Sequence, residues 1–177
     1  MRKRNIIIIF IVTTVILLIP LIAMQFTNEV DWNLFDFIVM GVLILGTGLT
    51  YEFARSKGSN TTYKFAVGVA LGTSFLLVWM NGAVGIIGNE NNPANLLYFG
   101  VLAIGLIGAI IARLKPSGMS RVLFATALAQ ALVPVIALLI WKPAFSLGVL
   151  AVFVLNTFFV IMFILSALLF KSASKTN

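Results

Sequence analysis

The sequence predicts an all-α, polytopic membrane protein with six transmembrane helices. Three observations predict it. Hydrophobic residues make up 61% of the 177-residue chain and charged residues only 10%. Six separate stretches are long and apolar enough to cross a bilayer, and the cations collect in alternate connections between them. A soluble domain carries ~45–50% apolar and ~25% charged residues, so this chain cannot cover itself with polar surface in water. A soluble enzyme, a disordered chain and a nucleic-acid-binding domain are thereby excluded.

A spanning helix needs ~20 apolar residues, because hydrocarbon ~30 Å thick divides by a rise of 1.5 Å per residue. The spans run Asn5–Met24, Phe35–Phe53, Phe65–Gly88, Leu96–Ala112, Val122–Trp141 and Leu147–Phe170, as one transmembrane domain over 1–177. No stretch alternates with the period of two that barrel strands require, whereas helices satisfy their own backbone in lipid. The first span follows a basic start, as a signal peptide does. Its apolar run from Ile6 to Ile19 is long, however, and Pro20-Leu21-Ile22-Ala23-Met24 lacks a small-x-small cleavage pattern, so it is expected to persist as a helix.

The connections orient the spans. Arg2, Lys3 and Arg4 precede the first; Arg55, Lys57 and Lys64 join the second to the third. Arg113, Lys115 and Arg121 join the fourth to the fifth, and Lys171 and Lys175 follow the sixth. Eleven of the 12 cations therefore share one side, leaving Lys142 on the other with Glu29, Asp31 and Glu90. The positive-inside rule places both termini in the cytoplasm. The basic turns orient the chain and meet anionic lipid head groups; they are not a nucleic-acid surface. Asn60-Thr61-Thr62 fits a glycosylation pattern, but on the cytoplasmic side it carries no meaning.

Self-comparison suggests a duplication. Gly41-Val42-Leu43-Ile44-Leu45-Gly46 aligns with Gly100-Val101-Leu102-Ala103-Ile104-Gly105, and Ala54-Arg55 with Ala112-Arg113. Helices 2–3 and 4–5 thus read as two copies of one hairpin in parallel orientation, expected to pack as a four-helix core with helices 1 and 6 outside it. Small residues four apart, as in Gly68-x-x-x-Gly72, Gly105-x-x-x-Ala109 and Ala125-x-x-x-Ala129, permit close helix approach within the chain or in a homodimer. Phe145, Phe153, Phe158, Phe159, Phe163 and Phe170 point all round helix 6, the pattern of a lipid-facing helix. Trp32 and Trp141 suit an interfacial aromatic belt.

The available chemistry is narrow. There is no Cys and no His, so thiol chemistry, Cys-ligated zinc and His-ligated haem or metal are absent. No cofactor and no metal site is expected. The five acidic residues are Glu29, Asp31, Asp36, Glu52 and Glu90. Glu52 beside Arg55 reads as an interfacial ion pair. Asp36 lies one turn into helix 2. It faces a polar cavity with Thr47 and Thr50, or it complements the positive end of its helix; interfacial depth favours the second.

Polar side chains within spans are functional candidates by default. Asn81 precedes the glycine-rich run Gly82-Ala83-Val84-Gly85-Ile86-Ile87-Gly88, where a weakened helix marks a gate or a tightly packed seam. Asn92 and Pro93 read as cap and first residue of helix 4, and Glu90 alone is weak for calcium. Gln130 shares a face with Thr126 and Pro134, and Pro134 frees the Gln130 carbonyl from its helical partner. Asn156 with Thr157 serves as interhelical glue or as pathway lining.

The stretch from Asn81 to Val133, with Asn92-Pro93-Ala94-Asn95 and Ala125-Thr126-Ala127-Leu128-Ala129-Gln130-Ala131-Leu132, resembles a group of small bacterial polytopic inner-membrane proteins over about a third of the chain. The resemblance implies a bacterial host and a multi-pass topology, and it transfers no functional residue. The expected role is a non-catalytic accessory or structural subunit of the inner membrane, in contact with lipids and with a membrane-protein partner or a second copy. The alternative is a small-solute or ion permease with a neutral polar path through Asn81, Gln130 and Asn156. A lipid-modifying enzyme comes third, since hydroxyls without His or deep carboxylates make a poor nucleophilic site.

Overall fold

The computed structural model describes residues 3–58 and 60–175. It is all-helical among those residues, and six helices are long and apolar enough to cross a membrane. They are α1 (Lys3–Ala23), α2 (Leu34–Arg55), α3 (Thr61–Ala83), α4 (Leu97–Ile111), which reaches that length as Pro93–Ile111 with the turn before it, α5 (Pro116–Trp141) and α6 (Leu147–Ala173). A single 3-10 turn, Pro93–Leu96, leads into α4. The chain divides into two compact units, Met1–Ser56 and Lys57–Asn177.

In the first unit α1 and α2 form an antiparallel pair. Small residues on α2 receive branched side chains from α1: a Cβ at Gly48 would lie 2.8 Å from Ile9 Cγ2, and one at Gly41 3.4 Å from Leu17 Cδ1. Near Arg55 the pair is pinned by Glu52. Its Oε1 accepts a hydrogen bond from Asn5 Nδ2 at 2.7 Å, and its Oε2 pairs with Arg55 Nε at 2.6 Å. The expected ion pair is thus present, and it also ties the two helices together.

In the second unit α6 runs along both α5 and α3, and α4 packs on α5. This differs from the expectation that helix 6 is peripheral. Phe159, Phe163, Phe170, Ala167 and Ser166 are all buried, so one face of α6 forms the centre of the unit. Phe158 and Val154 lie on its exposed remainder, while Phe145 falls in the loop before the helix. Phenylalanine suits lipid and protein interior alike, which is why its distribution round the helix misled. Ser166 Oγ donates to the Ala66 carbonyl at 2.8 Å, a buried bond joining α6 to α3.

Glycine opens the α4–α5 seam. A Cβ at Gly108 would meet Val122 Cγ1 at 2.5 Å, and one at Gly105 would meet Thr126 Oγ1 at 3.5 Å. Gly72, by contrast, faces nothing within 4 Å, so Gly68-x-x-x-Gly72 does not mark a tight seam at its second glycine.

The cation-rich end of this unit is closed by Tyr63. Its hydroxyl donates to the Leu114 carbonyl at 2.9 Å, and its ring meets Phe170 edge-on at 5.2 Å between centroids. Asn60 caps α3 by accepting from Tyr63 N–H at 2.7 Å, and its Nδ2 donates to the Ala173 carbonyl at 3.2 Å.

Most helix boundaries differ from those read in the sequence, by up to six residues, and α3 already begins at Thr61 instead of Phe65. α3 stops at Ala83 instead of Gly88, because Gly85 and Gly88 take positive φ of 66° and 75°, outside the helical region. α5 begins at Pro116 instead of Val122, with proline in the first turn where its missing N–H costs nothing. α6 continues through Lys171 to Ala173.

Candidate functional site

The deepest polar cluster joins three helices of the second unit. Gln130 on α5, Asn156 on α6 and Tyr98 in the first turns of α4 are 0%, 1% and 1% exposed, so water is excluded from all three. The helical carbonyl of Val152 orients the cluster. It can only accept, and it takes a hydrogen bond from Asn156 Nδ2 at 2.8 Å. That turns Asn156 Oδ1 toward Gln130 Nε2 at 2.9 Å and the Tyr98 hydroxyl at 3.2 Å. The same hydroxyl accepts from Asn156 Nδ2 at 2.9 Å. Gln130 therefore spends its amide nitrogen on Asn156, and its Oε1 is left buried with no hydrogen-bond partner. Thr126, one turn before Gln130, returns its hydroxyl to the Val122 carbonyl at 3.0 Å and adds nothing to the cluster.

A second cluster closes the asparagine-rich end. Asn95 Oδ1 accepts from Ile87 N–H at 2.8 Å, while its Nδ2 donates to the carbonyls of Asn89 at 2.7 Å and Ile87 at 3.3 Å. One buried side chain thus satisfies a turn of backbone that no helix supports. Asn81, in the last turn of α3, donates its Nδ2 to the Asn95 carbonyl at 3.2 Å, and its Oδ1 has no partner. Asn92 caps the 3-10 turn by accepting from Ala94 N–H at 3.0 Å, as its place before Pro93 predicts.

The four candidate residues thus fall into three places. Gln130 and Asn156 are in direct contact. Asn81 belongs to the neighbouring cluster, reaching the 3-10 turn that leads to Tyr98. Asp36 is in the first unit and acts as a cap: its Oδ2 accepts from Asn33 N–H at 2.8 Å, and Asn33 Oδ1 accepts from Phe35 and Asp36 N–H at 2.8 and 3.2 Å. Its carboxylate is committed to the N-terminus of α2, the second of the two readings open to it. Sequence reasoning missed Tyr98 and Asn95. Tyr98 resembles an interfacial aromatic, and Asn95 resembles one more loop asparagine; their spacing of three, across the start of a helix, is the only signal.

The unit also holds a cavity of about 390 Å³ between the ends of α5 and α6 and the turn of residues 86–92. Pro134 and Leu155 line its floor, and Trp141, Ser146 and Asn92 line its mouth. Asn81, Gln130 and Asn156 are not among its lining residues. Among the described residues no group of three His, Cys, Asp or Glu side chains is placed to hold a metal ion. Compared with protein-family models, curated proteins and solved structures, the chain gives no match.

Proposed function

We propose that this chain is a six-span protein of the bacterial inner membrane, with both termini in the cytoplasm, serving as a non-catalytic accessory or structural subunit. One observation carries the reading. The Gln130 and Asn156 amides deep in the second unit are dry and, with Tyr98, hydrogen-bond to protein groups that hold α4, α5 and α6 together. Polar side chains that line a permeation path face water, whereas these face protein. The cation distribution supports the orientation. The shared register of helices 2–3 and 4–5, with its matching basic flanks, supports a parallel duplication.

A neutral permease is the second reading, favoured by one feature: Asn81 and Gln130 each keep an unpaired buried acceptor. Purification in mild detergent followed by reconstitution separates the two. A subunit co-purifies with a stoichiometric membrane partner, and its proteoliposomes pass ions and small neutral solutes no faster than empty ones. Flux that disappears in Gln130→Leu while the variant stays folded overturns the subunit reading in favour of the permease.

A further inference from the structure

The cavity at the asparagine-rich end has a shape and a polarity gradient that specify an occupant. On α5 its wall runs from Trp141 down to Pro134, and on α6 from Gly148 down to Leu155. Each spans seven residue steps, so the slot lies along the helices over about 10 Å at 1.5 Å per residue. Small residues line its walls, Ala137 on α5 and Gly148 and Ala151 on α6. Its floor is apolar. Its mouth carries Asn92, the Ser146 cap and the positive N-terminal end of α6.

The charges at this end of the unit are Lys142 and Glu90. Lys142 sits between two wall residues, Trp141 and Pro143, held at the end of α5 in a left-handed conformation with φ 44°. It does not line the cavity itself, but it is exposed and both of its chain neighbours do, so a cation stands beside the mouth. Glu90 does not line the cavity, and its Oε1 accepts from Asn91 Nδ2 at 3.3 Å.

We propose that this slot binds one acyl chain of an anionic glycerophospholipid, whose phosphate is held by Lys142 at the mouth. The inference rests on the membrane reading above. A cavity of about 390 Å³ has room for a stretch of one acyl chain along its depth. A slot parallel to the helices admits a chain lying as lipid chains lie. An elongated apolar floor under a cationic mouth suits an amphiphile with a negative head, and neither a polar solute nor a flat protein surface has that form.

Trp141 reports on the slot directly. The full-length chain carrying Trp32→Phe and Trp79→Phe, which leaves Trp141 as its single tryptophan, is reconstituted in phosphatidylcholine vesicles. Phosphatidylglycerol or phosphatidylcholine with brominated acyl chains is then titrated in. Brominated phosphatidylglycerol is expected to reach half-maximal quenching at a mole fraction about five-fold lower than brominated phosphatidylcholine, since one cation at a membrane surface is worth ~1 kcal/mol. Lys142→Gln, a surface change, should abolish the preference while leaving quenching in place. Ala151→Leu, which fills the slot, should lower quenching by both lipids.

Quenching that follows bulk mole fraction equally for both lipids and is unmoved by either variant overturns the proposal. So does quenching that stays below the bulk level because a second copy or a partner helix occupies the slot. Failure of the membrane reading looks different, since no brominated lipid then quenches Trp141 at all.

Discussion

Asn156 carries more than any other side chain in the second unit. It accepts from Gln130 and from Tyr98 while donating to Tyr98 and to its own helix. Asn156→Leu keeps nearly the same shape but strands the Gln130 amide and the Tyr98 hydroxyl in a dry interior. Interhelical hydrogen bonds in membranes average ~0.6 kcal/mol, but an abandoned buried donor costs ~1–3 kcal/mol, so a loss of about 2 kcal/mol is expected. Gln130→Leu should behave differently. It removes the orphaned Oε1 along with the donor, and Asn156 Oδ1 still receives the Tyr98 hydroxyl, so stability should stay within ~0.5 kcal/mol of the native chain. Unfolding in mixed detergent micelles measures both. If Gln130→Leu proved the more damaging change, the assigned amide orientation would be wrong.

At the scale of an element, the end of α3 shows how two nearby glycines take opposite roles. Gly82 is helical and a Cβ there meets nothing within 4 Å, whereas Gly85 has φ +66° and a Cβ there would collide with the Asn89 carbonyl. Gly82→Ala should therefore stabilise by up to ~1 kcal/mol through helix propensity. Gly85→Ala should destabilise by more than ~1 kcal/mol through left-handed strain and the clash. Opposite shifts in the thermal midpoint of the purified protein check the pair; equal shifts would mean that α3 continues through Gly85. The sequence displays the glycines without saying which one ends the helix, because that depends on the turn Asn95 closes from eight residues away. The start of α5 was more nearly legible. Proline favours the first turn of a helix, which is where Pro116 stands, but the grouping of Arg121 with the loop cations put the expected start at Val122. Gln130 and Asn156 stood out because amides are rare among apolar residues. Their shared partner Tyr98 did not, because a tyrosine near a helix end has an interfacial explanation already.

Across the whole molecule, six apolar helices were legible because a bilayer asks for length and hydropathy, and both are properties of the chain itself. Which helix is central was not. In lipid, a buried face and an exposed face can be equally apolar, so α6 gives no sign of packing on both α3 and α5. Orientation depends on charge, and the absence of Cys permits a clean test. The proposed topology places Asn91 outside and Lys115 inside, at opposite ends of the stretch that includes α4. A membrane-impermeant maleimide should label Asn91→Cys in intact cells and Lys115→Cys only after permeabilisation. Both positions lie in exposed turns, so neither substitution disturbs packing. The reverse pattern would put the cationic turns outside, against the positive-inside rule, and would move the lipid slot to the inner leaflet, where anionic lipid is more abundant. Labelling of both positions in intact cells would mean that α4, at 15 residues the shortest of the six, does not cross even with its 3-10 extension.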